Sequence, residues 1–333
     1  MKTALFDRHV ALGAKMGDFA GWEMPLQYKG VLVEHQAVRE RAGLFDISHM
    51  ARVSIRGRDA ARFMEWLSSH RLRGDFSATY TCLCNEAGGT VDDVLVYREN
   101  ETSFFVICNA ARREADLAHF RRYKKGFDVD IEESFRTEGI LALQGPEADR
   151  YLPSLPRMSF ERRGNLIVSG TGYTGSGGVE IFGSNELIRA LWDELLAKGA
   201  MPIGLGARDT LRLEKGFALY GHELSEEISP IESVSSWTIS PGKDFLGKES
   251  LSRWGRRAFG IRMQEGSIAR SGFKVFQEGD EIGEVTSGGF SPTLKIPIAL
   301  ILSRKPLKMG EDVAVKIRER YVAATVSPLP FVE

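Results

Sequence analysis

The chain has 333 residues, enough for two to three domains at roughly 100–200 residues each. Lysine and arginine number 44 against 45 aspartate and glutamate, and the formal net charge of −1 is unlike the basic excess of a dedicated nucleic-acid binder. With 43% hydrophobic and 27% charged residues the composition is that of an ordinary globular protein, and no stretch is long and apolar enough for a transmembrane helix.

Val31 to Arg41 has helical spacing and stops before Gly43. Val53 and Ile55 alternate with polar residues up to Gly57, which reads as a strand. Arg58 to Leu67 follows with Ala60, Phe63, Met64 and Leu67 on one helical face. Asn85-Glu86-Ala87-Gly88-Gly89 has turn chemistry, Thr90–Tyr97 is a strand, Arg98-Glu99-Asn100-Glu101 reads as a polar turn, and Phe104–Cys108 as a second strand. A helical stretch, Ala110–Tyr123, closes this α+β block at Lys124-Lys125-Gly126. A second set begins near Gly139, with strands at Leu141–Leu143, Leu166–Val168 and Val179–Phe182. Five glycines fall in the nine positions from Gly170 to Gly178. Ser184 is the expected N-cap of a helix whose apolar face is Leu187, Ile188, Leu191, Trp192, Leu195 and Leu196, ended by Gly199. Ala207–Glu214 is a shorter helix. From about Gly260 the pattern becomes all-β. Phe273–Val275 and Ile282–Val285 flank Glu278-Gly279-Asp280, Pro297–Leu302 is an apolar run, and alternation at Val313, Val315, Ile317 and at Val322, Ala324, Val326 brackets a turn at Arg318-Glu319-Arg320.

Several residues carry possible chemistry. Asp92-Asp93 lie in an apolar strand, where neighbours face opposite sides, so one carboxylate can enter a cleft. A carboxylate there is costly without a partner; the alternative is that both cap a turn or pair with surface arginines. Tyr173-Thr174-Gly175-Ser176-Gly177-Gly178-Val179-Glu180 lacks the Lys and Ser/Thr of a nucleotide loop, and no helix follows directly, so a hairpin delivering Glu180 into a pocket suits it better. Arg208 offers a planar fork at a helix start, for a carboxylate or an amide-rich ring; the alternative is a salt bridge with Asp209. Cys82-x-Cys84 is too closely spaced for a usual zinc site, and Cys108 reads as strand core. His9, His35, His49, His70, His119 and His222 are scattered, so neither a metal centre nor a serine-type triad is expected. Three cysteines without a secretory signal fit a reducing, cytoplasmic setting.

Taken together these residues resemble the aminomethyltransferase (T-protein) family of the glycine cleavage system. The similarity runs through Phe19-Ala20-Gly21-Trp22-Glu23-Met24-Pro25, Gly43-Leu44-Phe45-Asp46-Ile47-Ser48-His49-Met50, the Asp92-Asp93 pair and Leu143-Gln144-Gly145-Pro146. It continues through Gly172-Tyr173-Thr174-Gly175 with Glu180, Gly206–Glu214, Lys243–Lys248, Val285–Pro292 and Pro330-Phe331, in order along essentially the whole chain. The resemblance implies an α+β fold of three domains in a cloverleaf around a central folate channel, with a C-terminal all-β barrel-like domain. Its segments would be 1–46 with 139–245 (folate-binding), 47–138 (carrying Asp93) and 246–333 (barrel). It implies tetrahydrofolate as acceptor, a lipoylated H-protein as partner and aminomethyl donor, and no metal, nucleic-acid or membrane partner. Asp93 would be the catalytic carboxylate, with Glu180, Arg208, Asn109, Tyr80, Tyr173 and Trp237 binding folate. Ser176-Gly177 departs from the family's usual Glu-Asp, and Ser77-Ala78 from its Gly-Gln. Two other readings within reach of the residues are a folate-dependent demethylase and a non-catalytic folate-binding relative; the Lys-Gly-Cys-Tyr-x-Gly-Gln-Glu signature of the latter is not found.

Overall fold

Apolar periodicity dictates most of the architecture, seen here in a computed structural model that describes residues 1–134 and 136–333. The chain divides into two compact units, one of 1–81 with 93–208 and one of 82–92 with 209–333. The α+β class stands, and so does the closed C-terminal barrel.

In the first unit, α1 (Phe6–Ala11) leads into the hairpin β1 (Lys15–Phe19) and β2 (Trp22–Gln27). Ala20 and Gly21 turn this hairpin with φ of 53° and 79°, the left-handed pair a two-residue turn requires. Next come α2 (Val31–Glu40), β3 (Gly43–Asp46), β4 (Ala51–Arg56), α3 (Ala60–Leu67), β5 (Ser77–Cys84), β6 (Thr90–Asn100), β7 (Ser103–Cys108), α4 (Arg113–Tyr123) and β8 (Asp130–Glu133). Then follow β9 (Glu138–Gln144), β10 (Phe160–Arg163), β11 (Leu166–Ser169), β12 (Gly178–Ser184), α5 (Asn185–Ala197), β13 (Met201–Pro202) and α6 (Leu205–Glu214); β5, β6 and α6 each run across the boundary between the units. They build a five-stranded sheet ordered β5-β6-β7-β4-β8 and a six-stranded sheet ordered β10-β11-β12-β9-β3-β13.

Ser184 caps α5 as expected, accepting from the Leu187 amide at 3.3 Å. The buried face of this helix, Ile188, Trp192 and Leu195, joins Leu44, Leu141, Leu143, Val179 and Ile181 in one core. A second core of aromatics draws on both sheets: Tyr97 of β6 stacks on Phe105 of β7 at 4.4 Å, and both meet Phe160 of β10 and Phe182 of β12 edge-on. One expectation fails. Arg98-Glu99-Asn100-Glu101 is not a turn, because β6 continues to Asn100 and the reversal falls at Glu101-Thr102. The polar residues are strand residues with partners: Arg98 pairs with Asp75 at 2.8 Å, and Glu99 accepts from Ser103 at 2.7 Å. The expected helix from Ala110 is a single tight turn, Ala110–Arg112, before α4 begins at Arg113.

Glu34 on α2 fixes local geometry that matters below. Fully buried, it accepts the amides of Tyr28, Lys29 and Gly30 at 2.6, 2.8 and 3.1 Å with one oxygen and that of Gly204 at 2.7 Å with the other. Glu34→Gln keeps the shape but loses the charge and one acceptor, so urea denaturation should show a loss of about 1–2 kcal/mol. An unchanged midpoint would contradict this role.

In the second unit β14 (Arg257–Met263), β15 (Lys274–Gln277), β16 (Asp280–Ser291), β17 (Ile296–Ser303), β18 (Asp312–Ile317) and β19 (Arg320–Ser327) close into a barrel ordered β14-β17-β16-β15-β18-β19. Its interior is filled by Ile261, Val275, Val285, Ile301, Val313, Val315, Val322, Ala324 and Val326; the last five are among the alternating positions the sequence marked, and the sixth of those, Ile317, packs partly buried against them. Among the described residues no helix is long and apolar enough to cross a membrane.

Candidate active site

β6 presents Asp93, Leu95 and Tyr97 on one face and Asp92, Val94 and Val96 on the other, as strand alternation requires. The two aspartates accordingly part ways: Asp92 is completely buried, Asp93 only partly. The Asp93 carboxylate is held from both sides. Tyr80 of β5 donates its hydroxyl to Oδ2 at 3.0 Å, and the Asn109 amide, just beyond β7, donates to Oδ1 and to the Asp93 carbonyl, both at 3.1 Å. All three residues belong to the first unit, and neither donor carries a charge. The two donors together fix the direction of the carboxylate.

Four residues along the same strand face, the Tyr97 hydroxyl meets Thr171 Oγ1 at 3.1 Å, and Thr171 donates to Glu180 Oε2 at 2.5 Å. Glu180 lies on β12, paired in register with Ala142 of β9 and Ser169 of β11. Burial pushes its carboxyl above the usual range, while the Thr171 bond and the Arg208 charge pull it back down. The same burial, with the Glu180 charge, raises the Tyr97 phenol. This hydrogen-bonded path joins the Asp93 strand to Glu180.

Arg208 lies in the first turn of α6, its guanidinium 4.5 Å from the centroid of the Tyr173 ring. The alternative partner Asp209 is engaged by Arg212 Nε at 2.8 Å. Tyr173 sits in the glycine-rich loop ahead of β12, whose base is fixed by Gln144. That side chain donates to the Thr171 and Val179 carbonyls at 3.2 and 3.3 Å and accepts from Thr174 Oγ1 at 3.0 Å. A Cβ on Gly172 would stand 1.9 Å from Gln144 Oε1, so a side chain there would displace the Gln144 amide. Tyr80, Asn109, Asp93, Tyr173, Glu180 and Arg208 thus all fall in the first unit; Trp237 belongs to the second, 60% exposed on the short turn Ser236–Thr238.

His49 stands in the sequence among the scattered histidines and within the Gly43–Met50 stretch of the family resemblance, with no role of its own. Its ring is 3% exposed and lies edge-on to Phe19 at 5.4 Å, and its Nδ1 has no hydrogen-bond partner among the described residues. Burial, and next the Arg208 cation, push it down to about 4 against the opposing pull of Asp46. An unfolded histidine titrates near ~6.5. Between these values the unfolded chain binds a proton that the folded chain refuses, so stability falls as pH drops from about 6.5 toward 4. Urea midpoints taken from pH 7 to 4.5 should fall, and fall less steeply in His49→Gln; equal slopes would contradict the assignment.

The three cysteines are buried and none forms a disulfide. Cys82 accepts a weak bond from Thr238 at 3.7 Å, and burial pushes the Cys84 thiol up to about 12.

Comparison with known proteins places this site in context. Residues 5–243 match the GCVT N-terminal domain family, and residues 256–333 match the glycine cleavage T-protein C-terminal barrel domain. The aminomethyltransferase of Rubrobacter xylanophilus is 45% identical, covering 99% of this chain and 94% of its own. That of Thermus thermophilus is 41% identical, covering 99% of both. The crystal structure of the glycine cleavage system aminomethyltransferase T from Bartonella henselae superposes with a TM-score of 0.94 at 34% identity, over 100% of this chain and 98% of that one.

Proposed function

The chain belongs to the glycine cleavage T-protein family and is an aminomethyltransferase, and we propose that it transfers the methylene of an aminomethyl group, carried on the lipoyl arm of an H-protein, to tetrahydrofolate. The products are 5,10-methylenetetrahydrofolate, ammonia and the dihydrolipoyl carrier. The observation that carries this reading is the Asp93 carboxylate, partly exposed and oriented by the Tyr80 hydroxyl and the Asn109 amide. As folate N5 attacks the methylene carbon, positive charge develops on N5. A fixed anion placed there accepts the N5 proton and lowers the barrier, the mirror image of an oxyanion hole.

Glu180 then holds the polar edge of the pterin, Arg208 orients it with Tyr173 beneath the guanidinium, and Asn109 and Tyr80 line the pocket, while a folate contact from Trp237 rests on the family resemblance alone. The same reading divides the chain into the family's three domains, 1–46 with 139–245, 47–138 and 246–333, around a folate channel, and places the protein in the cytoplasm. No resident metal is required, since the charge chemistry is carried by a carboxylate.

The test compares methylene donors. Wild-type protein with tetrahydrofolate should consume aminomethyl-loaded H-protein and leave dimethylglycine and sulfonium methyl donors untouched. Turnover of a small methyl donor without H-protein would replace this reading with that of a folate-dependent demethylase.

A further inference from the structure

One helix reaches both members of the Arg208–Tyr173 stack. Near its start, α2 sends Glu34 to the amide of Gly204, the residue immediately before α6, which carries Arg208. At its other end Arg39 donates from one nitrogen to the Thr174 carbonyl at 2.6 Å and to the Ser176 hydroxyl at 2.8 Å. These acceptors adjoin Tyr173 in a loop with little stiffness of its own. Gly175, Gly177 and Gly178 hold φ of 69°, 78° and 109°, which glycine adopts at small cost and leaves as readily. The base of the loop is anchored separately, by Gln144 to Thr174 Oγ1 and by the Gly145 amide to the Gly177 carbonyl at 3.1 Å. Arg39 therefore adds a second hold on Thr174, the residue next to Tyr173, at its carbonyl, and takes hold of the Ser176 hydroxyl as well.

We propose that Arg39 is a positioning residue for folate: its double bond to Thr174 and Ser176 sets the place of the Tyr173 ring, and through it the direction of the Arg208 guanidinium. It touches no reacting atom. The inference rests on the folate reading of the site and extends it to the element that aligns the binding pair. Its consequence is specific: loosening Arg39 blurs the recognition of the pterin and leaves the charge chemistry at Asp93 in place.

The test uses the full-length protein and the variants Arg39→Ala, Arg39→Lys and Ser176→Ala. Tetrahydrofolate affinity is read by calorimetry, the transfer rate at saturating folate by single turnover, and loop order by hydrogen exchange of amides 172–178 without ligand. Arg39→Ala should weaken folate binding about five- to twentyfold, the scale of one to two lost hydrogen bonds, and slow saturated transfer less than about twofold. Ser176→Ala should weaken it about twofold, and Arg39→Lys should recover part of the loss. Exchange in 172–178 should quicken several-fold in Arg39→Ala. Unchanged exchange overturns the clamp, whatever the ligand. A slower saturated rate with unaltered affinity overturns it too, since that pattern marks a purely structural role. Failure of the wild-type protein to bind tetrahydrofolate would sink the folate reading instead, and the exchange measurement would still judge the clamp.

Discussion

Asp93→Asn should lower the single-turnover transfer rate by on the order of 10²–10³ while tetrahydrofolate stays bound. The amide preserves the shape and still accepts the Tyr80 hydroxyl, while the Asn109 amide keeps its bond to the residue 93 carbonyl and loses the one to the side chain. The negative charge is lost, and it is needed most when N5 becomes cationic. An interaction stronger in the transition state than in the ground state shows in the rate and leaves binding nearly untouched. Asp92→Asn should follow another pattern. Asp92 is fully buried on the opposite strand face, so its loss should appear in stability before rate. Fluorescence titration with tetrahydrofolate and rapid-quench transfer on both variants separate the two. A severe rate loss confined to Asp92→Asn would invert the face assignment.

Arg208→Ala should weaken tetrahydrofolate about tenfold to a hundredfold, the usual range for a lost charge-assisted contact. A pH effect comes with it. Burial already raises the Glu180 carboxyl, and the Arg208 charge is one of the two influences holding it down. Without that cation Glu180 takes up its proton at higher pH. If the carboxylate form grips the pterin, the acid limb of folate binding therefore moves upward in Arg208→Ala. Calorimetry between pH 5 and 8 reads both effects. Wild-type affinity across that range would remove Arg208 from the site.

The charged residues proposed for the site drew notice from their surroundings, the Asp92-Asp93 pair in an apolar strand, Glu180 after a run of glycines and Arg208 just inside a helix, while the choice of Asp93 within the pair came from the family resemblance. Their supports did not. Tyr97 and Thr171, which link the Asp93 strand to Glu180, read as ordinary strand and loop residues, and only the i, i+4 spacing of Asp93 and Tyr97 on one strand hints at a shared face. Glu34 and Arg39 sit among polar helix positions that periodicity assigns to a solvated surface, although Glu34 is fully buried. Glu34 does take the nearby amides of Tyr28, Lys29 and Gly30, but its bond to the Gly204 amide and that of Arg39 to the Thr174 carbonyl span 170 and 135 residues, and local pattern carries no information at that range. The fold shows the same division. The α5 helix and the barrel strands follow from period and capping. The reach of β6 through Arg98 to Asn100 depends instead on cross-strand pairing with β7, which polar composition conceals.

The central claim is that Asp93-dependent transfer runs from an H-protein-borne aminomethyl group to tetrahydrofolate. The most direct measurement is a single turnover of purified wild-type protein with aminomethyl-loaded H-protein and tetrahydrofolate, scored for 5,10-methylenetetrahydrofolate and ammonia together. The account predicts the two products in equal amounts, dependent on both substrates and nearly abolished in Asp93→Asn. Folate that binds yet gains no methylene group, or transfer that proceeds undiminished in Asp93→Asn, would contradict it.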